Sequence, residues 1–157
     1  MGVSLRRYVV VQLLMVWQGG FLFYSACVVP VGTSVLGSAA NQGAITARVT
    51  DWLNLIGAGA LVALLADVIF TRDPHRWRRR ARWAAWGVMA GCQVALAYLH
   101  LRLEEHMDPD RLVVLVLGTF RRFHGAYLWA HTLQWVAGLA FVWLTLRAWR
   151  AADGRAP

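Results

Sequence analysis

Five histidines are the side chains of this chain best suited to hold a cofactor, and three of them, His100, His124 and His131, fall in or beside long apolar stretches. Imidazole nitrogens ligate haem iron and divalent first-row metals, and helix bundles place such ligands on facing helices. Trp86, Ala90, Gln93, Ala97 and His100 recur at helical intervals, and so do His124, Tyr127, His131, Gln134 and Gly138. Each set is a stripe of small or polar residues where a lipid-facing surface carries Leu, Val or Phe, so both are expected to face the interior of a bundle. In the sharper of two readings His100 and His131 are the axial pair of a haem b, with His124 as a substitute, or the cluster holds a metal, in a subunit that transfers electrons. In the other reading they hydrogen-bond across helices at a wet membrane edge and hold no cofactor. No CxxCH for covalent haem and no HxxxH is present.

Other chemistry finds less support. Cys27 and Cys92 lie in different apolar blocks without CxxC or CxxH spacing, which excludes zinc ribbons and dithiol redox motifs and leaves two small buried hydrophobes. Ser25 and Ser34 carry no motif, and no histidine has an acid at a recognisable spacing, so no catalytic residues are expected and the chain reads as non-enzymatic. A transport path needs ionisable groups through the centre of the membrane. The acids nearest the spans, Asp51 and Asp67, stand at opposite ends of one helix.

The elements that position these residues follow from composition. The chain is 59% hydrophobic with nine tryptophans, and its apolar residues gather into blocks almost free of charge, which is the membrane signature. Four spans, about 8–30, 52–70, 83–101 and 125–146, are expected in a single membrane domain over 1–157: an all-α integral membrane four-helix bundle. The first is read as an uncleaved helix that continues past Pro30 to Leu36. Ser38 to Thr50 reads as a polar connector, with Asp51 starting the second helix. Leu112 to Phe120 is too short to span and follows Asp108-Pro109, a cap and first-turn proline. A short interfacial helix between helices three and four is expected there. Gly87 and Gly91 form a GxxxG in the third helix, Gly59 and Ala63 share that spacing in the second, and Gly19-Gly20 lies in the first. These small residues suit close helix packing.

The formal charge of +8 comes with sixteen arginines and no lysine. Because most arginines flank apolar blocks, they are read as contacts to lipid headgroups, and nucleic acid is not expected as a partner. Arg6 and Arg7, the six arginines from Arg72 to Arg82, and Arg147, Arg150 and Arg155 fall on one side of the bundle. The other side holds Arg48, Arg102, Arg111, Arg121 and Arg122, diluted by Glu104, Glu105, Asp108 and Asp110. The positive-inside rule then puts both termini in the cytoplasm of a bacterial cell, with the chain in the inner membrane.

Trp17-Gln18-Gly19-Gly20-Phe21-Leu22-Phe23 with Val28-Val29-Pro30, and Phe120-Arg121-Arg122-Phe123-His124-Gly125 ahead of the last helix, together about a third of the chain, carry a family resemblance. They resemble a bacterial family of small four-helix integral membrane proteins of unknown function, itself like an animal transmembrane protein linked with cisplatin resistance. In that family a serine and then an asparagine follow further along; here Tyr127 or Leu128, and His131, stand in their place. The resemblance implies the topology and no established activity. The expectation is therefore an accessory or scaffold subunit that packs against other membrane protein subunits in the lipid bilayer.

Overall fold

The computed structural model describes residues 2–71, 73–108, 113–114 and 117–154. Four long helices account for nearly all of them: α1 (Val3–Leu36), α2 (Ala39–Phe70), α3 (Arg76–Glu104) and α4 (Leu117–Asp153). Each runs antiparallel to the one before it. The start of α1 therefore meets the end of α2, the start of α3 and the end of α4. α1, α2 and α3 are long and apolar enough to cross a membrane. α4, the fourth expected span, is longer still at 37 residues, but His131, Gln134 and four tryptophans interrupt its apolar run. The first two of these are buried inside the bundle, so they lower the hydropathy of the helix without wetting its outer face.

α1, α3 and α4 outrun the expected spans at both ends, and α2 starts earlier than expected but ends at Phe70 as expected. α1 contains two π-helical turns, Met15–Gly19 and Tyr24–Val28, the second just before Pro30. Proline supplies no N–H and crowds the preceding turn, and a π turn there lets the helix continue through it. The helix stops at Gly37, whose φ of +61° is a left-handed cap that glycine adopts without strain.

The polar connector expected from Ser38 to Thr50 is instead helical from Ala39 onward, with Ser38 as its cap and the Asn41 N–H donating to Ser38 Oγ at 3.4 Å. Its polar residues are used against α1. The Tyr24 hydroxyl donates to Thr46 Oγ1 at 3.0 Å, and Gln42 Nε2 donates to Tyr24 Oη at 3.4 Å. Gly32 makes room for the buried Gln42 amide.

The separate interfacial helix expected over Leu112 to Phe120 is not found among the described residues. Two short strands, β1 (Met107–Asp108) and β2 (Val113–Val114), pair antiparallel, and Leu117 to Phe120 form the first turn of α4. Leu112, Leu115 and Val116, and Pro109 of the expected cap, lie outside the described residues.

The main apolar core runs along the bundle axis through Val10, Leu14, Trp17, Leu64, Met89 and Phe141. The glycine pattern of α3 is not in it. Met89, Cys92 and Leu96 face inward, whereas Gly87 and Gly91 are exposed and a Cβ built on either meets nothing. Gly59 is likewise open, and Gly19 has nothing within reach. Besides Gly32, the glycines that let helices approach are Gly57, under the Trp17 indole and the Gln93 amide, and Gly138, under the Gln18 amide.

Candidate functional site

Buried polar groups collect in two layers, one at the arginine-rich end of the bundle and one near the midpoints of the helices. At the arginine-rich end the organising group is Asp67, whose side chain is fully buried near the end of α2. Its Oδ1 accepts from Arg6 Nε of α1 at 3.2 Å, from the Thr71 hydroxyl at 3.0 Å and from Trp149 Nε1 of α4 at 3.3 Å. Its Oδ2 accepts from Arg82 Nη2 of α3 at 2.7 Å. One carboxylate thus ties all four helices together.

Arg82 is itself fully buried. Its Nε donates to Thr145 Oγ1 at 3.2 Å, and its guanidinium lies 5.6 Å from the Phe141 ring centre. Helical spacing sorts the arginines of this end: Arg78 and Arg82, four apart, point inward, while Arg76, Arg79 and Arg80 are exposed. Arg78 grips Asp73 through two bonds of 2.6 Å, and the His75 N–H donates to the same carboxylate at 2.9 Å. Burial pushes the Asp73 carboxyl upward, but these donors outweigh it and hold its pKa below the usual carboxylate range. The loop is therefore closed by a charged pair at neutral pH.

Near the middle of the helices an amide chain crosses three of them. Gln134 Nε2 donates to the Met89 carbonyl at 3.1 Å and to Gln93 Oε1 at 3.0 Å, and Gln93 Nε2 donates to the Asn54 carbonyl at 3.1 Å. Tyr127 Oη reaches Asn54 Oδ1 and His131 Nε2, both at 3.3 Å. Tyr127, His131, Gln134 and Gly138 all lie inside, as their spacing predicts, whereas His124 and Ala97 are exposed.

The three candidate histidines occupy different settings. His131 is buried, stacked on Phe21 with ring centres 4.3 Å apart, and the void beside it is only about 10 Å³. Such a space holds roughly one water. His124 is exposed and stacks on Phe120. His100 Nε2 lies 2.7 Å from Asp51 Oδ1 and 3.4 Å from Glu104 Oε1.

Their levels differ too. The contacts of Gln134 with Met89 and Gln93 fix the register of α3 against α4. Carried along antiparallel helices, that register sets His100 level with residues 123–127, roughly 6–12 Å from the level of His131 at ~1.5 Å per residue. The geometry does not present His100 and His131 as a facing axial pair. Of the three, only His100 stands among further metal-ligating groups of the described residues.

Sequence reasoning read Arg82 as a headgroup contact and Asp67 only as an acid at one helix end, and it gave Asp73 no role; the structure buries all three. Their signal was present: an acid inside an apolar run, followed after a short loop by arginines four apart, is an ion pair awaiting a fold. The chain matches none of the protein-family models, curated proteins or solved structures compared with it.

Proposed function

We propose that this chain is a non-enzymatic four-span protein of a bacterial inner membrane, an accessory subunit that packs against other membrane proteins. One observation carries the reading. The small-residue face of α3, Ala84, Gly87 and Gly91, points away from its own bundle and meets nothing there. Helices associate in lipid through close van der Waals packing at such faces. Gly59 and the exposed Ala58 add a second open strip on α2. The buried polar groups, in turn, are largely engaged in holding the four helices to one another.

Purification of the full chain from its native membrane in mild detergent is expected to retain a partner. Gly87→Leu with Gly91→Leu should lower the retained partner at least tenfold while the bundle unfolds at the same denaturant concentration. Retention unchanged by the double substitution, or a clean monomer from the start, overturns the reading.

Orientation follows from the arginines. The end bearing Arg6, Arg7, Arg76, Arg79, Arg80, Arg147 and Arg150 is the cytoplasmic one under the positive-inside rule. Reporters fused after Arg82 are expected to read cytoplasm, and reporters near Gln42 the opposite side. A cytoplasmic signal at Gln42 inverts the assignment.

A further inference from the structure

The group around His100 is poised to do more than hold two helices. His100 and Glu104 are four apart on α3 and so share a face. Asp51 approaches that face from α2, and the three side chains place their ligand atoms within 4.8 Å of one another. His100 Nε2 stands 2.7 Å from Asp51 Oδ1 and 3.4 Å from Glu104 Oε1. Ligands bound tetrahedrally at ~2.0–2.2 Å lie about 3.3–3.6 Å apart, so small side-chain rotations bring all three onto one ion.

The charge of the cluster favours a cation. Two carboxylates face one imidazole. The neighbouring cation on the helix, Arg102, is turned aside, its Nε on Tyr98 Oη at 3.1 Å and its Nη1 on Glu105 Oε2 at 2.9 Å. No arginine pairs with Asp51 or Glu104 among the described residues. Exposure is graded as a metal site needs: the His100 side chain is 13% exposed, and the Asp51 and Glu104 side chains are 51% and 54% exposed. The imidazole is the anchored inner ligand, and the carboxylates stand at the aqueous rim, where water completes the coordination.

The geometry points to a divalent first-row metal site built by Asp51, His100 and Glu104 at the end of the bundle opposite Asp67. One imidazole with two carboxylates suits zinc, cobalt or manganese, whereas magnesium and calcium prefer all-oxygen sets. At the arginine-rich end, ion pairs with Asp67 cross-link the helices. At this end a metal bridging α2 to α3 does the same, and it makes the grip of α2 on α3 responsive to metal outside the membrane core.

The test uses the full chain in detergent, stripped of metal and free of a polyhistidine tag. Cobalt(II) titration is expected to give a visible ligand-field band that saturates at one ion per chain and is displaced by zinc. His100→Ala and Glu104→Gln should each weaken cobalt binding at least tenfold. His124→Ala, which alters an exposed histidine outside the cluster, should leave it unchanged. Glu104→Gln keeps the shape of the side chain, so its loss of binding cannot be laid to misfolding. No saturable band, or equal weakening by His124→Ala, overturns the proposal and leaves the cluster a hydrogen-bonded ion pair.

Discussion

Asp67→Ala is expected to destabilise the bundle by about 3–5 kcal/mol, the range for removing one partner of a buried ion pair. The cost arises chiefly from what stays behind. Arg82 is fully buried, and without the carboxylate its only described polar partner is Thr145 Oγ1. Its Nη1 already has no hydrogen-bond partner among the described residues, so the guanidinium has no second acceptor to turn to. Arg6, Thr71 and Trp149 each lose an acceptor in the same step. Unfolding by a denaturing detergent in mixed micelles, followed by tryptophan fluorescence, measures the effect. The double variant Asp67→Leu with Arg82→Met removes both charges and should recover most of the loss, because apolar replacement of a buried pair is often neutral. If Asp67→Ala costs under about 1 kcal/mol, or the double variant is worse than the single, the carboxylate is not what gathers the helices.

That network shows where a one-dimensional reading stops. The four helices were legible because apolar blocks of membrane length are visible without any knowledge of neighbours. The inward placement of Tyr127, His131, Gln134 and Gly138 was legible for a related reason, since helical spacing alone puts them on one face.

What a residue meets across the bundle is a different matter. Gln42 and Thr46 looked like loop because they are polar, and they proved helical because Tyr24 of α1 stands opposite them. The arginine run looked like one solvated patch. In the structure Arg78 and Arg82 face inward to acids, while Arg76, Arg79 and Arg80 are exposed. His100 and His131 share suitable stripes, yet the α3–α4 register, set by Gln134, separates their levels. Each of these outcomes depends on a register between helices, and no single helix encodes it.

The glycines of α2 supply the second large effect. Gly57→Leu is expected to cost close to 3 kcal/mol, the upper part of the ~1–3 kcal/mol typical of overpacking. A Cβ at position 57 would stand 2.7 Å from Trp17 Nε1 and 3.0 Å from Gln93 Oε1. Neither neighbour can withdraw cheaply. Trp17 is buried in the main core, and Gln93 is held between Asn54 and Gln134. Pushing the indole outward opens the core, and turning the amide breaks the chain of bonds that sets the α3–α4 register. Gly59 is the control, two residues along the same helix, where an added Cβ meets nothing. Gly59→Leu should leave the unfolding midpoint of the isolated chain unchanged or raise it by up to about 1 kcal/mol, since leucine is the better helix former. Both variants add the same side chain to the same helix, so only the surroundings can separate them. Equal unfolding midpoints for the two would mean that α1 and α3 do not close on α2 at Gly57.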